Sequence, residues 1–216
     1  MTARNCLVEV RTKLNNTVRS YLRTQAMPAV RATPKTFANN VRLELASRDT
    51  GLPDYIESLL VSIEEMNSKI QDADEALKQV ADSDPICKLL QTMPGVGPIT
   101  SVSFAATLDD VGRFESAERV TFYLGLTPGE STTGFKTRRT GMTKAGSARA
   151  RWTLNQAAWT LVRIRPVDPA VQWFQEVAKR RGKKVAITAL SRKMASMLYV
   201  RAIASKSLVI SIERTT

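Results

Sequence analysis

Hydroxyl and cationic side chains crowd one stretch of the chain, residues 124–152, which Gly and Pro punctuate. Its cations are Lys136, Arg138, Arg139, Lys144, Arg149 and Arg151, and no acidic residue follows Glu130 there. An exposed hydroxyl beside fixed cations suits attack on a phosphodiester, because the cations stabilise the charge that grows on the phosphorus oxygens. Ser131, Thr132 and Thr133 are therefore candidate nucleophiles, and the cations are candidate nucleic-acid contacts. A solvated basic loop is the other interpretation of this stretch.

A second stretch, Pro-Gly-Val-Gly at residues 94–97, interrupts a sequence that otherwise favours helices. Two glycines one residue apart indicate a turn that needs a positive φ or the close approach of another group. Helices over 86–93 and 98–108 would flank this turn in a helix-hairpin-helix arrangement, whose free backbone N–H groups can hold phosphate oxygens without reading base sequence. The predicted contacts are Gly95, Val96, Gly97, Thr100 and Ser101. A plain turn between two helices is the alternative.

Composition narrows the classes of function. The formal net charge is +12 and the isoelectric point is about 10.1, a balance that favours a polyanionic partner, with nucleic acid ahead of an acidic membrane surface. The chain contains no histidine, which removes Ser-His and Cys-His catalysis and the commonest metal ligand. Cys6 and Cys87 lie far apart and without metal-ligand spacing. We predict no metal site and no cofactor within this chain.

Helical elements must position these residues. Apolar residues three and four apart predict a basic amphipathic helix over residues 5–23, and a longer helix with an apolar seam from Ile56 to Val80. The seam is typical of a coiled coil, whose partner would be residues 5–23 of the same chain or a second copy. One amphipathic helix packed on its own domain is the other reading.

The remainder reads as helical. Ser147 is a predicted helix cap, a further helix is predicted after Asp168-Pro169, and the basic break at 179–184 would touch nucleic acid or be solvated. The predicted fold class is mainly all-α, with long coiled-coil helices followed by a helical domain that contains the helix-hairpin-helix motif. We expect a coiled-coil or dimerisation region over 1–82 and a second domain over 83–216.

The order of these segments resembles a known family. A coiled coil is followed by "LLQTMPGVGPIT", by "FYLGLTPGESTTGFKTRRTGMTKAGSARARWTLNQAAW" and by "RRGKKVAITALSRKMA". Together they resemble the C-terminal half of the IS-one-ten family of insertion-sequence transposases, relatives of the Piv-type DNA invertases. The resemblance covers roughly residues 5–205, and its motifs are specific in combination.

The resemblance implies a DNA transposase that acts in transposition and site-specific recombination through a serine nucleophile. Family members have an N-terminal RuvC-like domain with four metal-binding acids, and a structured non-coding guide RNA is an implied partner. The family's nucleophile segment corresponds to residues 128–134, in which Ser131 is the only serine. Alignment leaves Thr132 or Thr133 as alternatives at the family position.

No acidic constellation precedes the predicted coiled coil, where Glu9 stands alone. We therefore expect a truncated transposase that is inactive alone, with Mg²⁺ bound only when the RuvC-like domain is supplied. The alternative is a non-catalytic nucleic-acid-binding or regulatory module that pairs with a full-length transposase through the coiled coil. A purely structural coiled-coil protein is a third hypothesis. DNA is the expected partner and a homo-oligomer the expected assembly; with no membrane span or signal peptide in the sequence, we expect a cytoplasmic protein.

Overall fold

The structure is a computed structural model that describes residues 1–48, 51–133 and 136–213; the side chains of residues 130–133, 136–140 and 206–213 are outside this description. Packing divides the chain into two units, Met1–Leu77 and Lys78–Thr216. The described residues are mainly helical, which confirms the predicted fold class at that level. Within the described ranges, no helix is both long and apolar enough to cross a membrane.

The first unit contains three helices. They are α1 (Thr2–Thr24), α2 (Phe37–Ala46) and α3 (Asp54–Ser83), the last of which continues into the second unit. Their common core contains Val18, Leu22, Phe37, Ala38, Val41, Leu45, Ile56, Leu60 and Ile63. The loop after α1 contains Pro28 and Pro34, which cannot continue a helix.

The apolar seam of α3 has a partner helix in the same chain. Arg4 Nε donates to Asp74 Oδ1 at 2.8 Å, Arg11 Nη1 donates to Asn67 Oδ1 at 2.9 Å, and the far end of α1 shares its core with the start of α3. The two helices are therefore antiparallel. The seam is not buried along its whole predicted length, since Val80 is 50% exposed.

The second unit contains six further α-helices, a short 3-10 helix and a hairpin among its described residues. They are α4 (Pro85–Gln91), α5 (Pro98–Leu108), a short 3-10 helix (Val111–Arg113), α6 (Ala117–Tyr123), β1 (Pro128–Thr133), β2 (Lys136–Met142), α7 (Ala148–Ile164), α8 (Pro169–Arg181) and α9 (Lys183–Glu213). The hairpin corrects the sequence expectation of a loop over this stretch. Threonine favours strands and a glycine lies between the two threonine-containing segments, but the cations between the threonines hide this signal.

Helix α9 is the centre of the second unit, because α4, α6, α7 and α8 all pack against it. Leu90, Phe104, Leu124, Leu154, Leu190 and Met194 are wholly or nearly wholly buried in this core. The predicted cap at Ser147 is confirmed, since its Oγ accepts from Ala150 N–H at 3.2 Å. Asp168 also caps a helix, because its Oδ1 accepts from Ala170 N–H at 2.8 Å.

Candidate nucleic-acid interface

The candidate nucleophiles Ser131, Thr132 and Thr133 belong to strand β1 of the antiparallel hairpin. Its paired positions are Glu130 with Arg139, Ser131 with Arg138, Thr132 with Thr137, and Thr133 with Lys136. The three candidate nucleophiles therefore share one strand, and a basic strand runs beside them. Their side chains lie outside the described residues, as do those of the three paired cations, so these roles stay predictions; Gly134 lies outside the described residues altogether.

Backbone contacts hold the base of the hairpin against the end of α6. Thr143 N–H donates to Thr127 O at 3.0 Å, and Lys144 N–H donates to Gly125 O at 3.2 Å. Gly146 packs so closely that a Cβ there would overlap the carbonyl oxygen at the end of α6. The Lys144 side chain is exposed, so it remains available for its predicted phosphate contact.

Arg151 holds the same junction together from α7. Its Nη1 donates to Leu124 O at 3.1 Å and to Gly146 O at 2.6 Å. A guanidinium with two carbonyl acceptors inside the protein fixes the loop before α7 to the end of α6. Arg151 is therefore a structural clamp in this structure, and no geometry supports its predicted phosphate contact. Arg149 is half-buried at the start of the same helix, and its predicted contact stays untested.

The turn at residues 94–97 packs closely against another helix of the protein. Gly95 has a φ of +87°, in the left-handed region that glycine alone adopts readily. A Cβ built on Gly95 would lie 2.6 Å from Ala157 O and 2.9 Å from Leu161 N. The group that closely approaches this turn is thus the backbone of α7.

Three further predicted phosphate contacts also face the interior. Val96 is 6% exposed and Ser101 is wholly buried, and the Ser101 hydroxyl donates to Pro98 O at 3.0 Å. Thr100 is 9% exposed. These hydroxyls help to pack α5 and are not presented to a ligand. Gly97 differs, because a Cβ built there meets nothing within 4 Å.

A polar pocket of about 660 Å³ lies beside the base of the hairpin. Its polar lining includes Ser116, Glu118, Arg119, Thr127, Thr143 and Arg192. Among the described residues, the contacts of both arginines to acids are long, with Arg192 Nη2 3.7 Å from Glu118 Oε1 and Arg119 Nε 3.9 Å from Glu115 Oε2. Ion pairs this long and this exposed contribute little to stability.

Sequence reasoning missed this pocket and its two guanidinium groups. Arg119 belongs to α6 and Arg192 to α9, so only the tertiary fold brings them together. Each lies in an ordinary amphipathic helix beside an acid or another cation, which is typical of a solvated helix face. No local signal in the sequence distinguishes them from other surface arginines.

Cys87 is a buried thiol of α4. It is 2% exposed, and burial together with the nearby Asp84 carboxylate raises its pKa to about 11, against a smaller lowering by the Ser101 hydroxyl. Because the thiolate is the reactive form, Cys87 is a poor nucleophile at neutral pH. Over the described parts of the chain, no group of three or more acidic, cysteine or histidine side chains could hold a metal ion.

Comparison with known sequences connects this interface to mobile elements. Residues 87–172 match the sequence model of the family described as Transposase IS116/IS110/IS902. The chain is 30% identical to the transposase for insertion sequence element IS1111A of Coxiella burnetii, over 91% of this chain and 55% of that protein. It is 26% identical to the transposase for insertion sequence element IS1328 of Yersinia enterocolitica, over 91% and 60% respectively. The chain thus spans little more than half the length of these relatives.

Proposed function

We propose, from the premise that this chain is related to the transposases of the IS116/IS110/IS902 family, that it binds DNA and takes part in DNA transposition. One observation carries the proposal. The matched segment contains the hairpin whose register sets three hydroxyl residues beside a basic strand. The net charge of +12 supplies the long-range attraction that a polyanion needs.

The chemical part of the proposal is attack by a hairpin hydroxyl on a DNA phosphodiester, with Ser131 as the first candidate. An Oγ–P bond forms while a P–O bond to the neighbouring nucleoside breaks. The hydroxyl proton is lost from Oγ and the departing oxygen takes up a proton to become a free hydroxyl of that nucleoside, so the phosphodiester is kept as a protein–DNA linkage. Thr132 and Thr133 are the alternatives, with β-branching as their disadvantage. In this proposal a RuvC-like domain supplies the metal-binding acids that complete the site, and Mg²⁺ would bind to those acids.

The DNA-binding part can be tested by salt titration of the affinity for a labelled duplex. Each phosphate contact contributes a slope of about 0.9 to the fall of log K with log salt concentration. Replacing Arg138 and Arg139 together by Gln should therefore lower the slope by about 2. Arg163→Gln with Arg165→Gln is the matched control, because both arginines are exposed on the second unit. Equal losses in the two double variants would refute binding through the hairpin.

The α4–turn–α5 arrangement is a second DNA contact in this proposal, at the Gly97 end of the turn. Gly97 is the N-cap of α5 and has open space beside it. Gly97→Asp provides a test, because an N-cap carboxylate stabilises the helix but repels a phosphate. Gly97→Asn keeps the cap and adds no charge. We expect only the Asp variant to bind DNA more weakly, and equal affinities of the two variants would exclude this contact.

The proposed assembly partners follow from the resemblance. A structured guide RNA and an oligomer formed through a coiled coil are parts of this proposal, although the core side of α3 already packs against α1 in the same chain. Sedimentation of the purified chain at several concentrations tests the oligomer. A monomer at every concentration would exclude self-association through α3.

A further inference from the structure

We propose that the pocket beside the base of the hairpin, defined by Arg119, Arg192 and Thr127, is a binding site for one backbone phosphate of DNA. The inference rests on the proposed DNA binding and adds the site at which a phosphodiester is held. Neither arginine of this pocket was expected from the sequence to act on DNA.

The guanidinium groups of Arg119 and Arg192 give the pocket its positive charge. Both line the same pocket of about 660 Å³, and they come from different helices. Arginine offers several N–H donors in a planar fork that matches the oxygens of a phosphate. Two such cations that line one cavity from α6 and α9 provide complementary charge for the single negative charge of a backbone phosphodiester.

Both guanidinium groups already have a long contact to a carboxylate. Arg192 lies 3.7 Å from the Glu118 carboxylate, and Glu118 is 82% exposed. Arg119 lies 3.9 Å from the Glu115 carboxylate, which is 85% exposed. Neither distance allows a hydrogen bond of normal length. A phosphate can therefore displace both carboxylates with little loss of existing interaction.

The lining of the pocket also contains a buried hydroxyl, that of Thr127. Thr127 lines the pocket, is only 9% exposed, and its Oγ1 has no hydrogen-bond partner among the described residues. Buried hydroxyls are nearly always hydrogen-bonded, so an exception indicates a missing ligand or a functional role. A phosphate oxygen that enters between the arginines supplies an acceptor for this hydroxyl after a small rotation.

The pocket lies at the base of both strands of the hairpin. Thr127 immediately precedes β1, the strand that contains Ser131, and Thr143 immediately follows β2. Both residues line the pocket and are joined by a backbone hydrogen bond of 3.0 Å. A phosphate bound here is anchored at the base of the strands that present the candidate nucleophiles. The site therefore fixes the register of the DNA backbone relative to the hairpin.

Affinity for a labelled DNA duplex gives the main test. Arg119→Gln with Arg192→Gln should weaken binding about tenfold, as expected for the loss of charged hydrogen bonds. The control, Arg163→Gln with Arg165→Gln, removes the same charge from the exposed surface of α7 and its end. Glu118→Gln should have the opposite effect and tighten binding about threefold, because a competing carboxylate is removed. Far-ultraviolet circular dichroism checks that each variant is folded.

A second readout separates this site from the proposed function. The Nε–H signals of Arg119 and Arg192 are followed by NMR in ¹⁵N-labelled protein during titration with inorganic phosphate, and are assigned through the single variants. We expect both signals to shift in a saturable way. If wild-type protein binds no DNA but these signals shift, the phosphate site stands and the proposed DNA binding fails.

The opposite result would overturn the site and leave the proposed function intact. That result is DNA binding by the wild type, equal losses in the two double variants, and no saturable shift with phosphate. An affinity loss seen with an RNA duplex and absent with DNA would also overturn the assignment, since the proposal commits to a DNA phosphate.

Discussion

Replacing Gly95 by Ala tests whether the turn at residues 94–97 is built for packing. The added Cβ would lie 2.6 Å from Ala157 O and 2.9 Å from Leu161 N, both backbone atoms that no rotamer change can move. The left-handed backbone at φ +87° costs a non-glycine residue about 1–2 kcal/mol. Overpacking of a tight contact typically costs about 1–3 kcal/mol.

The two costs add to roughly 2–5 kcal/mol of unfolding free energy, a large part of the about 5–15 kcal/mol that a typical domain has. Gly97→Ala is the matched control two residues away. Its Cβ meets nothing within 4 Å, and its φ of −103° suits any residue. We expect it to change stability by less than about 1 kcal/mol.

Urea denaturation followed by tryptophan fluorescence measures both variants. The three tryptophans of the chain, at positions 152, 159 and 173, all lie in the second unit and report on its unfolding. Equal stability of the two variants would refute the packing role of Gly95. So would a folded Gly95→Ala protein of normal stability that has lost only its affinity for DNA.

Four other changes follow from the same contacts. Arg151→Gln should lower the unfolding free energy by about 1–3 kcal/mol, because two buried carbonyls lose their donor; a value near zero in urea denaturation would contradict the clamp. Asp84→Ala removes a cap that accepts from two backbone N–H groups of α4 and should cost about 1 kcal/mol by thermal unfolding, whereas Asp84→Asn should cost less. The pKa of Cys87 is raised to about 11, against 9.0 for the free thiol. Because the unfolded state releases the thiol proton first, the contribution of Cys87 to stability is complete below pH 9 and is lost as the pH rises through 11. A Cys87→Ala protein should lack that decline in pH-dependent denaturation. Lys183→Gln with Lys184→Gln should weaken DNA binding and slightly raise the melting temperature, because cations at a helix N-terminus are unfavourable; a lower melting temperature would contradict this reasoning.

Local chemistry made part of the fold predictable. The cap at Ser147 depends on a side chain and a backbone N–H three residues away, so the sequence contains all the necessary information. The long α3 helix follows from a repeat of three and four residues. Whether its partner is in the same chain could not be predicted, because periodicity describes a face and not what covers it.

Distant contacts decided the rest. The glycine pattern at 94–97 correctly indicated close approach at Gly95, but the approaching group is α7, about sixty residues further along the chain. The pocket beside the hairpin depends on α6 and α9 meeting, which no local pattern encodes. The hairpin was missed because its strands lack apolar alternation, the signal by which half-buried strands are recognised.

A search for a covalent protein–DNA adduct tests the central claim most directly. The purified chain is incubated with labelled DNA that contains element ends, with Mg²⁺, element-derived RNA and a separately supplied RuvC-like domain, and is analysed by denaturing electrophoresis. Wild-type protein should form an adduct that Ser131→Ala abolishes while DNA affinity is kept, and that Thr132→Ala and Thr133→Ala retain. An unchanged adduct in Ser131→Ala, or no adduct from wild-type protein that binds the same DNA, would contradict the proposed role of Ser131.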